Sequence, residues 1–184
     1  MNVMAIAGRR IDADDAEQAR FPLAKAPDVR REITRIMRET ETEAVVCSAA
    51  CGADLIALDV ARELDIPAWV ELPFDRERFR QTSVMDRPGD WGRLFDELVD
   101  QAEQAGRLNI IAPTDDSNHE AYSLTMDAIL DRTMALAHED NAASVGYMTA
   151  LAVWDGASRG PNDLTAAFLE RARQRGISVR QLLI

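Results

Sequence analysis

Between residues 44 and 64 the chain reads AVVCSAACGADLIALDVAREL, and this stretch restricts the possible folds more than any other. Val45-Val46 begins a short β-branched run, and Ser48-Ala49-Ala50-Cys51-Gly52 is a turn of small residues. Leu55, Ile56, Leu58, Val60, Ala61 and Leu64 then recur as on the apolar side of a helix. A buried strand, a tight turn and a helix N-terminus form a common cradle for phosphate or another anion. Free backbone N–H groups point outward there, and the helix dipole favours negative charge. Small side chains at Ser48, Ala49 and Gly52 let the backbone approach a ligand closely.

The flanking chain repeats this alternation. Residues 3–7 form an apolar run closed by Gly8-Arg9-Arg10, a first strand and its C-terminal loop. The following IDADDAEQARFPLAKAP is polar, holds two prolines and is expected to be irregular. Val29, Ile33, Ile36 and Met37 keep helical spacing over residues 28–42. A third strand is predicted over 67–72, stopped by Pro73, then a helix over 91–105 and a fourth strand over 108–112. Residues 115–120 read as polar loop or helix cap, 121–137 as helix and 138–146 as a polar, mobile stretch. A fifth strand over 148–154, a helix over 162–175 ended by Gly176, and a last strand over 177–183 complete the chain.

Strands alternating with helices in this way predict a parallel sheet covered on both faces, a doubly wound α/β fold. At 184 residues one domain is expected. Ligands of such sheets bind beyond the C-terminal strand ends, near the point where strand order reverses. Three loops fall at such ends: residues 8–10, 48–52 and 155–161.

The third loop reads Asp155-Gly156-Ala157-Ser158-Arg159-Gly160-Pro161. Gly156 and Gly160 permit backbone conformations closed to other residues, and Ser158 and Arg159 can donate to an anion. Pro161 suits the first helical position, where its missing N–H costs nothing. A plain tight connection would use the same residues.

Charge narrows the partners. Acidic residues number 32 against 21 basic, a net charge of -11, which opposes binding to a nucleic-acid backbone while leaving room for a local phosphate pocket. The basic residues include a cluster at Arg76, Arg78, Arg80, Arg87 and Arg93, interleaved with Asp75, Glu77, Asp86 and Asp90. It reads either as an internally paired surface segment or as an anion-facing lid. Cys47 and Cys51 are too few for a disulfide scaffold or a thiolate zinc site, and read as small buried thiols. No apolar run reaches membrane-spanning length, and MNVMAIAGRR lacks the pattern of a signal peptide, so a cytoplasmic location is expected.

Motifs for chemistry are sparse. Neither H-E-x-x-H, G-x-x-x-x-G-K-[ST] nor G-x-G-x-x-G occurs, and no motif calls for a cofactor or metal. Ser48 lacks the flanking glycines of a nucleophile elbow and reads as structural. Asp54, in the first helical turn, can favour the helix dipole or accept hydrogen bonds from a ribose or base.

Taken together, IAGRR, CSAACGADLIALDVA and VWDGASRGPNDLT resemble, in order, the loops of the SLOG superfamily. These Rossmann-like domains include the Smf/DprA DNA-processing proteins and the Lonely Guy cytokinin-activating enzymes. The resemblance implies a nucleotide pocket lined by Gly8, Arg9, Ser48, Gly52, Asp54, Gly156, Ser158 and Gly160. The Lonely Guy enzymes carry P-G-G-x-G-T-x-x-E, whose glutamate serves N-glycosidic bond hydrolysis. Here Pro161 stands in place of the threonine, Leu164 has the spacing of the glutamate, and Asp163 comes one residue early.

The expected function is therefore binding of a nucleotide or nucleotide-derived molecule, as a sensor or ligand-binding module, in a chain compatible with a homo-oligomer. Arg9 and Arg159 would bind phosphate, the two turns would supply backbone donors, and Asp54 would read ribose or base. Ala49, Asp155 and, from the basic segment, Arg80 complete the expected site. The alternatives are a nucleoside 5'-monophosphate phosphoribohydrolase and a structural or partner-binding protein. For the hydrolase, Asp163 or Asp54 would stabilise the oxocarbenium ion, and an arginine of residues 76–87 would close over the phosphate.

Overall fold

Parallel strands buried on both faces need apolar side chains at every position, and the central strands here have them. The computed structural model describes residues 1–111, 118–139 and 147–184. In chain order its elements are β1 (Val3–Gly8), α1 (Ala26–Glu39), β2 (Ala44–Cys47), α2 (Ala53–Glu63), β3 (Ala68–Leu72) and α3 (Arg76–Ser83). They continue with α4 (Trp91–Gln104), β4 (Leu108–Ile110), α5 (Asn118–Glu139), β5 (Met148–Trp154), α6 (Leu164–Gln174) and β6 (Ser178–Leu183). The six strands lie in the order β4-β3-β2-β1-β5-β6, all parallel. The fold is the single-domain, Rossmann-like doubly wound α/β architecture that the alternation predicts.

Side chains alternate between the two faces with period two. Met4 and Ile6 of β1, Val45 and Cys47 of β2, and Leu151 and Val153 of β5 face the core formed with α1, α2 and α4. Val3, Ala5, Ala44, Val46 and Ala150 face the core formed with α5 and α6. Strand order reverses between β1 and β5, which pair along their whole length from Val3↔Met148 to Gly8↔Val153. Beyond these two strand ends lie the loops at 8–10 and 155–161, with the end of β2 next to them.

Several boundaries differ from expectation. Residues 11–25 are not wholly irregular: Ile11 and Phe21 are fully buried, and Leu23–Lys25 forms a 3-10 turn leading into α1. Residues 76–83 form a helix, α3, capped by Asp75, whose side chain accepts from the Arg78 N–H. α6 starts at Leu164 with Asp163 as its N-cap, so Pro161 lies in the preceding turn and not at the first helical position. Asp163 wins that role because its carboxylate binds two N–H groups of the first turn, which a proline at position 161 cannot do. Residues 115–117 of the expected loop, 140–146 of the expected polar stretch and 112 of the expected fourth strand lie outside the described residues; 118–120 and 138–139 belong to α5, and β4 ends at Ile110.

Candidate functional site

The C-terminal ends of β1 and β5 are joined by one side chain. Arg9 follows β1 and is 3% exposed. Its Nη1 donates to both carboxylate oxygens of Asp163 at 3.0 and 2.8 Å, and its Nε to Asp155 Oδ1 at 3.0 Å. Nη2 donates to the Ala157 carbonyl at 2.6 Å. The guanidinium also lies 5.6 Å from the Trp154 ring centroid. Arg20 adds a second cation to Asp155, at 2.5 Å. Arg9 thus fastens the β5–α6 turn to β1, and its donors are spent on the protein.

These contacts set the charge on both carboxylates. Burial pushes Asp163 up, but the Arg159 N–H, the Arg9 guanidinium and the Ala166 N–H outweigh it and hold the group below its ordinary value. Burial likewise opposes ionisation of Asp155, where Arg9 and then Arg20 prevail and lower it.

Asp163 also fills the anion position at the start of α6. It accepts from Thr165 N at 2.9 Å, Ala166 N at 3.2 Å and Arg159 N at 2.8 Å. Gly156 and Gly160 have positive φ, and Ser158 Oγ lies 3.2 Å from both the N–H and the carbonyl of Gly160. The turn's polar groups therefore close on one another.

The turn before α2 behaves the same way. Ala53 N donates to the Arg9 carbonyl, Cys51 N to the Ser83 carbonyl and Leu55 N to the Ala50 carbonyl. Ala50 N donates to Asp54 Oδ2 at 3.2 Å. Gly52, at φ 103°, pairs with Arg10 in an isolated antiparallel bridge. A Cβ there would lie 2.8 Å from the Arg9 carbonyl oxygen and 2.9 Å from Ile11 N. Gly8 is constrained similarly by Ala53 Cβ and the Val153 carbonyl, each 2.5 Å from a Cβ placed on it. In both places, close approach serves loop against loop.

Above these packed turns opens a cleft of about 470 Å³. Of the sequence candidates, Gly8, Arg9, Ser48, Asp54 and Arg159 line it. Ala49 is buried in the core, and Gly52, Asp155, Gly156, Ser158 and Gly160 lie behind or beside the lining. Arg80 is turned away: Nε and Nη2 bind the Asp96 carboxylate of α4 at 3.0–3.2 Å. Arg76 similarly pairs with Asp96 and Asp100. Those two arginines therefore belong to an internally paired surface, whereas Arg87 of the same segment reaches the cleft.

One further feature of the lining comes from elements that sequence patterns alone do not connect to a site. Phe79 of α3, Tyr122, Met126 and Ile129 of α5, and Phe168 of α6 supply an apolar wall. Tyr122 is fixed by a 2.9 Å hydrogen bond between its hydroxyl and Ser83 Oγ. Asp54 lies within the cleft at 8% exposure, with no salt bridge among the described residues. Burial pushes its carboxyl from 3.8 up to about 7, against the lowering effects of the Ala50 N–H and Arg10. A carboxyl held there can accept a hydrogen bond when ionised or donate one when neutral.

Among the described residues, no cluster of His, Cys, Asp and Glu side chains is arranged to hold a metal, and no helix is long and apolar enough to cross a membrane. Burial raises both thiols, Cys47 well above its ordinary value and Cys51 to about 11, which leaves them poor nucleophiles. No protein-family model matches the chain, and no curated protein shows significant similarity to it.

Proposed function

We propose that the cleft binds a nucleotide or nucleotide-derived small molecule, and that the protein works as a sensor or ligand-binding module. The observation that carries this reading is the cleft's mixed lining at the β1/β5 switch point. Arginines border it, Asp54 sits inside it, and aromatic and aliphatic side chains form its wall. A phosphorylated nucleoside has matching parts: an anion for arginine, hydroxyl or amino donors for a carboxylate, and a flat base for an apolar wall. Arg159, with its side chain 53% exposed and only a 3.5 Å contact to Asp163, is free enough to meet the phosphate. Arg9 takes the role of a brace that holds the binding loops together.

Denaturing the purified protein and analysing the released fraction by mass spectrometry should yield a phosphorylated nucleoside compound in stoichiometric amount. In titrations with nucleoside monophosphates, Arg159→Ala should weaken binding roughly tenfold, as expected for losing one charge-assisted contact. Unchanged affinity would remove Arg159 from the site.

A second reading, hydrolysis of an N-glycosidic bond, is favoured by one group only. A cleft carboxyl titrating near neutrality can give a proton to a departing base. Asp163, bound on all sides by Arg9 and backbone N–H groups, is unsuited to such a part. Release of free base from nucleoside monophosphates, abolished in Asp54→Asn, would replace the binding reading with this one.

A further inference from the structure

The helix N-termini that border the cleft have their own carboxylates and carbonyls on the donors, so an anion entering it must be met chiefly by side chains. Arg10 and Arg87 both line the cleft on the side of α2 and α3. Only Nη1 of Arg10 has acceptors among the described residues, the Thr82 carbonyl at 3.1 Å and both oxygens of Asp86 at 2.9 Å. Arg87 is less well served. Its Nη1 makes contacts of 3.4 and 3.5 Å to the carbonyl and carboxylate of Asp86, and its Nε is buried with no acceptor among the described residues. Two guanidinium groups thus share one carboxylate, and one of them carries an orphaned buried donor.

We infer that Arg10 and Arg87 form an anion subsite, distinct from Arg159, in which a phosphoryl group of the ligand competes with Asp86 for the two guanidiniums. An unsatisfied buried donor is costly, and a multi-oxygen anion satisfies it together with the spare donors of Arg10. Asp86 is a third exposed and, among the described residues, its carboxylate is held by these two arginines alone, so it can yield its place. The subsite sits beside Asp54, whose charge Arg10 already influences, so phosphate and a donor-bearing neighbour such as a ribose hydroxyl would be read together. This inference rests on the proposed nucleotide reading for its ligand, but its chemistry requires only a phosphoryl anion.

Isothermal titration of the full chain with AMP, adenosine and inorganic pyrophosphate tests it. Arg87→Gln should weaken AMP and pyrophosphate binding roughly tenfold and leave adenosine unchanged, as expected for losing one charge-assisted contact. Asp86→Asn should act in the opposite direction and tighten both phosphorylated probes severalfold, an effect that damage to the fold would not produce. Pyrophosphate binding that depends on Arg87 while no nucleoside compound binds would uphold the subsite and defeat the nucleotide reading. AMP binding that depends on Arg159 but is unaffected by Arg87→Gln and Asp86→Asn would do the reverse. If neither phosphorylated probe binds the wild-type chain, the subsite is refuted.

Discussion

Asp54 combines deep burial with a single backbone hydrogen bond, and that combination makes its contribution to stability depend on pH. Its folded value of about 7 stands above the 3.8 of an ordinary aspartate. The folded state therefore holds the proton more tightly than the unfolded chain, and stability from this group falls as pH rises from about 4 to about 7. Asp54→Asn keeps an acceptor for the Ala50 N–H and removes the titration. The variant should gain on the wild type across that interval, by on the order of 4 kcal/mol at pH 8, in urea unfolding followed by circular dichroism. A gap that stays constant with pH would mean that Asp54 ionises normally. The same variant should bind ligand less well if Asp54 accepts from a ribose or base. The residue's place in the first turn of a helix is legible in the sequence; its burial is not, because that depends on loops from β1 and α3 closing around it.

At the scale of elements, the docking of the 8–10 loop against the start of α2 makes Gly52 indispensable. Its φ of 103° opposes a side chain, and so do the backbone atoms of residues 9–11, which would lie within 3.0 Å of a Cβ placed there. Gly52→Ala should cost about 3 kcal/mol, combining a strained backbone with overpacking. Gly160 offers the comparison: its φ is 108°, yet a Cβ placed on it meets nothing within 4 Å, so Gly160→Ala should cost only about 1 kcal/mol. Equal losses of denaturation midpoint in the two variants would show that loop packing at Gly52 is unimportant. The glycine itself stands out in CSAACGAD, but the partner that requires it is more than forty positions away at Arg9 and Ile11. Helices and strands are legible because apolar spacing is a local property, and β5 coincides with its expected span. Which arginine of the 76–93 cluster faces the cleft is not, since that depends on the folded neighbours: Asp96 of α4 takes Arg80 of α3, whereas Arg87, in the loop before α4, borders the cleft.

For the whole molecule, Arg9 is the link between β1 and the β5–α6 turn in a sheet whose two faces carry different cores. The face covered by α1, α2 and α4 carries the larger cluster of buried side chains, from β1, β2, β3 and β5 alike. The opposite face relies on α5 and α6; towards the β6 end it holds only the small separate cluster of Ala152, Trp154 and Leu169, and β6 is an edge strand with exposed Ser178, Gln181 and Leu183. Amides of α6 and β6 should therefore exchange with solvent through local opening at lower free energy than those of β2 and α2. Arg9→Met leaves Asp163 without its buried cation, with only the exposed Arg159 at 3.5 Å among the described residues, a loss of about 3–5 kcal/mol for a broken buried pair. Asp155 and Asp163 have lowered folded values, so their contribution is present above the unfolded value near 4 and disappears as pH falls through the lower folded values. The deficit of the variant should accordingly be full at neutral pH and shrink on acidification below about 4. Hydrogen exchange read by mass spectrometry should find the extra loss of protection in Arg9→Met concentrated in α6 and β6, beyond the fall shared by the whole chain. Uniform loss over the chain would mean that the cleft is carried by one cooperative unit; a loss confined to α6 and β6 would make the bridge at the switch point the hinge on which ligand binding acts.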